Sequence, residues 1–118
     1  MLEGDVPSKK NSRVITMRGG KVRSFPSKRY KEWEEYAIPK MKEGKVSFGG
    51  PVHIICKFWM GSNRRSDLDN RLASICDALK EAGVIEDDNW KVVKHIEGIA
   101  MGVEKNAPRV EIVIEELE

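Results

Sequence analysis

Between residues 63 and 70 the chain reads Asn-Arg-Arg-Ser-Asp-Leu-Asp-Asn, and here side chains of the right type and spacing for chemistry gather. Asp67 and Asp69 stand two apart, so in a turn leading into a helix both carboxylates can point into one small volume. Left alone they repel each other. A hard cation such as Mg²⁺ removes that penalty, because it takes oxygen ligands and is commonly held by one or two carboxylates together with waters and substrate phosphates. Arg64 and Arg65 adjoin the pair, and guanidinium groups match phosphate oxygens in charge and geometry. A second acidic run, Glu86-Asp87-Asp88, follows downstream.

The same residues admit a plainer reading. Ser66 or Asp67 suits a helix N-cap, where a side-chain oxygen accepts from free backbone N–H groups and acids offset the helix dipole. Asp87-Asp88-Asn89 suits an ordinary turn. Both readings can hold together, since a capping carboxylate can also face a metal.

These residues hang from elements that the patterning makes visible. Residues 70–82 carry Leu72, Ile75, Cys76, Leu79 and Ala82 on one helical face, and Gly83 supplies the stop. Such a helix is roughly 20 Å long, so spacing alone does not return Asp87 and Asp88 to Asp67. Upstream, Val52, Ile54, Cys56 and Phe58 alternate with His53, Ile55, Lys57 and Trp59 as in a largely buried strand. Residues 92–100 and 109–115 read as two more strands, with 106–108 as the turn between them. Residues 13–16 and 21–25 flank Arg18-Gly19-Gly20 as a basic hairpin. Pro26-Ser27 starts a helix bearing Tyr30, Trp33, Ala37 and Met41 on one face, which Pro39 should kink or end near Ile38. Residues 43–51, rich in glycine, form a loop. This order predicts an α+β fold: a single two-layer domain over 1–118, helices packed on one mainly antiparallel or mixed sheet.

Charge separates the two parts of the chain. The 21 Lys+Arg and 19 Asp+Glu give a net +2, but residues 1–45 hold 12 basic and 6 acidic side chains and residues 46–118 hold 9 and 13. From Lys9 to Lys31 nine basic residues occur with no acid, a bias that suits a polyphosphate partner, although a merely solubilising face would look the same. No apolar run spans a bilayer and the N-terminus is too polar for a signal peptide, so a soluble, cytoplasmic protein is expected. Cys56 and Cys76 lack any paired metal or disulfide spacing and read as buried thiols. His53 and His95, far apart in sequence, read as strand residues. Trp33, Trp59 and Trp90 could stack on unpaired bases, with core or interface packing the commoner use of the residue. There is no P-loop, GxSxG or HExxH motif.

Arg65-Ser66-Asp67-Leu68-Asp69-Asn70, Asp77-Ala78-Leu79 and Gly83-Val84-Ile85-Glu86-Asp87-Asp88 together resemble the signature of the RusA family of Holliday junction resolvases, and Pro7-Ser8-Lys9-Lys10-Asn11-Ser12 resembles its N-terminal segment. The resemblance implies a Mg²⁺-dependent endonuclease that acts as a homodimer on four-way DNA junctions in recombination and repair. It places the catalytic, metal-holding acids at Asp67, Asp69 and Asp88, with Asp87 as the neighbour most easily confused with Asp88. Lys9, Lys10, Arg13, Arg64, Arg65 and Arg71 are then the expected DNA contacts. One departure stands out: where the family usually has a lysine four residues after the second aspartate, this chain has Ala73. Arg71, Lys10 and Arg65 are candidates to supply the missing cation. If none does, the alternative is a junction-binding protein of the same fold with little or no catalysis.

Overall fold

The computed structural model describes residues 1–7, the backbone of 13–18 and 21–26, and residues 28–63 and 68–117. In chain order the elements are β1 (Leu2–Glu3), β2 (Arg13–Arg18), β3 (Lys21–Pro26), α1 (Lys28–Glu43), β4 (Val52–Met60), α2 (Leu68–Glu81), β5 (Val93–Val103) and β6 (Arg109–Glu116). Alternation makes β4 the centre. Val52, Ile54, Cys56 and Phe58 face inward and are buried, while the residues between them are half-buried on the other face. Each fully buried large apolar side chain contributes about 1.5–3 kcal/mol, so this row anchors the sheet.

The sheet is four-stranded and mixed, in the order β1-β6-β4-β5. Strand β6 runs antiparallel to both β1 and β4, and β5 runs parallel to β4. The α+β expectation holds, with mixed strand directions. The turn at 106–108 does not join neighbours, because β4 lies between β5 and β6. A parallel pair needs a crossover, and α2 is that crossover. The basic hairpin forms as a separate two-stranded sheet, Arg18 opposite Lys21.

Both helices supply residues to the core that meets the inner row of β4. From α1 come Tyr30, Trp33 and Ala37, and from α2 come Ser74, Ile75, Cys76, Ala78 and Leu79. The sequence pattern kinks or ends α1 near Ile38, and the helix does not end there but runs on to Glu43. Pro39 is exposed. The stripe Tyr30, Trp33, Ala37 and Met41 lies in or against the core on both sides of it, and that packing outweighs one lost backbone hydrogen bond. At the other helix the stop is as expected: Gly83 takes a left-handed φ of 75°, its N–H donates to the Lys80 carbonyl (3.0 Å), and the Val84 N–H donates to that of Leu79 (2.9 Å).

The thiols of Cys56 and Cys76 are free and buried. Burial pushes the first up to about 12 and the second up to about 11, so both stay protonated and unreactive at neutral pH. Gly98 on β5 sets how closely the start of α2 approaches the sheet. A Cβ there would lie 2.9 Å from Leu72 Cδ1 and 3.2 Å from Leu68 Cγ. Gly98→Ala should therefore lower stability by about 1–3 kcal/mol, read as a reduced urea midpoint with an unchanged slope.

Candidate active site

Asp69 lies in the first turn of α2, exposed, with its Oδ1 accepting from the Asn70 N–H at 3.0 Å. Its position follows from the seating of Leu68 and Leu72 over Gly98. Asp67, Arg64, Arg65, Lys9 and Lys10 lie outside the described residues, as does the capping role expected of Ser66 or Asp67. Of Arg13 only the backbone, in β2, is described.

Arg71 points into protein. Its Nη1 donates to the Val6 carbonyl (2.8 Å) and lies 3.5 Å from Asp5 Oδ1, and its side chain is only 11% exposed. The same Asp5 oxygen accepts from the Gly61 N–H at 2.9 Å, and a Cβ at Gly61 would collide with this carboxylate. One residue further, the Pro7 carbonyl accepts from Ser74 Oγ at 2.7 Å. The N-terminal segment is thereby laid along α2, and the basic block begins immediately beyond it. Engaged in this way, Arg71 has little surface left for a phosphate, which its sequence position does not reveal.

Asp87 and Asp88 occupy the turn between α2 and β5, and their roles differ. Asp87 Oδ1 accepts from the Asp88 N–H (2.7 Å) and pairs with Lys80 Nζ (3.4 Å), while its Oδ2 accepts from Asn89 Nδ2 (3.1 Å). Hydrogen bonds from Asp88, with Lys80 beside them, hold Asp87 below the usual carboxylate range, and Asp87, then Asp88, in turn raise Lys80. Asp88 presents an exposed side chain. The turn is pinned from below by buried Val84 and Ile85, the former accepting from the Phe48 N–H at 2.8 Å.

Asp69 and the Asp87-Asp88 turn lie toward opposite ends of α2. Asp69, Ala73, Cys76 and Lys80 share one stripe of α2 at i, i+4, i+7 and i+11. Asp87, adjacent to Asp88, bridges Lys80, whose backbone lies eleven residues and roughly 16 Å along the helix axis from that of Asp69. Among the described residues no three His, Cys, Asp or Glu side chains are gathered to hold a metal ion. Lys80 is a cation near the acids that the motif alone does not single out, although its i+7 spacing from Ala73 puts both on that stripe.

Pairing of strands assembles what sequence distance hides. His53 and His95 are register partners on β4 and β5, with ring centroids 5.3 Å apart and His95 Nε2 3.8 Å from Glu97. The three tryptophans separate: Trp33 is buried, Trp59 carries the Arg109 guanidinium 4.1 Å from its ring centroid, and Trp90 is exposed. None of the described helices is long and apolar enough to cross a membrane.

Residues 3–115 match the endodeoxyribonuclease RusA family, nearly the whole chain and with both acidic segments inside the match, so the chain belongs to that family and is an endodeoxyribonuclease. Among curated proteins it is similar to the crossover junction endodeoxyribonuclease RusA of Aquifex aeolicus (strain VF5), with 34% identity over 89 residues that cover 71% of this chain and 67% of that one.

The Asp5 network yields a test of how the site is framed. Asp5→Ala leaves the Gly61 N–H and the nearly buried Arg71 without this carboxylate, and should cost about 2 kcal/mol. Urea denaturation measures the loss, and faster amide exchange at Gly61 should accompany it.

Proposed function

We propose that this endodeoxyribonuclease is structure-selective and resolves four-way DNA junctions as a homodimer with Mg²⁺, in recombination and repair. The observation that carries the reading is that Asp69 stands in the first turn of α2 while the Asp87-Asp88 turn is bridged to Lys80 in its last. One ion held by Asp67, Asp69 and Asp88 then takes Asp67 and Asp69 from one copy and Asp88 from a second. A two-fold dimer produces two such sites, as paired cuts in a near-symmetric junction require. The junction itself is suggested by the name of the Aquifex relative.

The donor set suits the metal. Asp69 and Asp88 are exposed carboxylates, hard oxygen donors of the kind Mg²⁺ prefers, and Asp87 is already engaged by Asp88, Asn89 and Lys80. When bound, the ion supplies Lewis-acid polarisation of the phosphodiester and activation of a water for in-line attack. The chain's own residues do the rest. Asp67 and Asp69 fix one side of the site from the start of α2, and Asp88 fixes the other from a hydrogen-bonded turn. Arg64 and Arg65 pair with phosphates flanking the cut. Lys9, Lys10 and Arg13 extend the grip over neighbouring phosphates, and Arg71 holds the N-terminal segment from which that block departs.

A second reading, a junction binder with weak catalysis, is favoured by the exposed Ala73 on the acid-bearing stripe. Cleavage of a synthetic four-way junction in Mg²⁺ decides between them, and binding without cutting would select the second.

Complementation tests the shared site. Asp69→Asn and Asp88→Asn should each be inactive, whereas their exchanged mixture should nick junctions at about a quarter of the wild-type site concentration, because each heterodimer keeps one intact site. A mixture as inactive as its components would mean that each chain builds its own site. In a separate measurement, replacing Lys9, Lys10 and Arg13 with Ala should flatten the slope of log K against log salt by up to about three, since each phosphate contact contributes about 0.9.

A further inference from the structure

Tryptophan is a costly side chain to leave in water, and the other two in this chain are covered. Trp33 is 7% exposed and Trp59 lies under a guanidinium, but Trp90 is 72% exposed. It does not stand alone: Lys94 Nζ lies 4.9 Å and Lys91 Nζ 5.8 Å from its ring centroid. The turn that carries it is well tied. Asn89 Oδ1 accepts from the N–H groups of Lys91 (2.9 Å) and Val92 (3.3 Å), the Asn89 carbonyl accepts from that of Val93 (2.9 Å), and Asn89 Nδ2 donates to Asp87. Trp90 thus stands in the same hydrogen-bonded turn as Asp88, with their Cα atoms no more than about 7 Å apart.

A largely exposed aromatic ring with two flexible ammonium groups over it offers, once those groups turn to phosphates, a surface for a base and two charges for the backbone, the combination that binds unpaired nucleotides without reading sequence. A protein partner fits less well, since lysines are depleted where aromatic residues anchor protein interfaces. In a continuous duplex every base is already stacked on both sides. At the crossover of a four-way junction bases lose a stacking neighbour, so a ring held near the cutting site finds a free face only there.

We propose that Trp90 stacks on a base exposed at the crossover, next to the phosphate that is cut, with Lys91 and Lys94 pairing to the flanking phosphates. Trp90 is then a specificity residue that separates branched from duplex DNA. This rests on the junction-cleaving reading above.

The test uses the full-length protein in EDTA, so that binding is read without cleavage, and 2-aminopurine placed either at the crossover of a four-way junction or as a single unpaired base in a bulged duplex. Trp90→Ala should bind both about tenfold more weakly, or about 1.4 kcal/mol, and lose the 2-aminopurine response, while affinity for a perfect duplex stays the same. Trp90→Phe should retain most of the response. Equal affinity and response for wild type and Trp90→Ala on both substrates would overturn the proposal. So would an equal loss on perfect duplex, or a changed oligomeric state of Trp90→Ala by sedimentation. A Trp90-dependent response on the bulge, with no preference of the wild type for the junction over duplex, would keep the stacking role and reject the junction reading. Wild-type junction preference unaffected by Trp90→Ala would do the reverse.

Discussion

A single carboxylate, that of Asp5, ties together three parts of the chain that frame the candidate site. It accepts from Gly61 at the end of β4, pairs with Arg71 on α2, and belongs to the N-terminal segment that precedes the basic block. These partners are largely desolvated, with side-chain exposures of 11% for Arg71 and 23% for Asp5, so neither charge is cheaply returned to a different arrangement. Arg71 and Ser74 then bind the next two carbonyls, and the segment is fixed along the helix for three residues. The result is mechanical. Residues 5–7 are thereby held against α2.

Helix α2 does two jobs whose requirements differ. Its buried face, with Ile75, Ala78 and Leu79, closes the core against the sheet. The stripe of Asp69, Ala73, Cys76 and Lys80, exposed except at Cys76, starts at Asp69 and ends beside the Asp87-Asp88 turn, because a crossover between parallel strands must carry the chain from one end of the sheet back to the other. The backbone of Asp69 is therefore separated from that of Lys80, the partner of Asp87, by most of the length of the helix.

Polar residues of the same type are sorted by what surrounds them. Asp87 is consumed by hydrogen bonds within its own turn and by Lys80, and Asp88, adjacent in sequence, is left facing solvent. Arg71 becomes a structural brace. Among the tryptophans one enters the core, one lies under an arginine, and one stands in water beside two lysines. Residue type sets the range of uses in each case, and the neighbours select one.

Much of this is legible in the amino-acid sequence by itself. The alternation of 52–59, the apolar stripe of α2 and the stop at Gly83 depend on neighbours within a few residues, and each lies close to where the pattern puts it. The acidic motif and its family are legible for the same reason, being short patterns of residue type. The run of α1 through Pro39, the pairing of His53 with His95, the capture of Arg71 and the placement of the Asp87-Asp88 turn relative to Asp69 are decided by tertiary structure alone. Each is fixed by segments distant in sequence that pack together, and packing energy, unlike periodicity, leaves no mark on the residues between them.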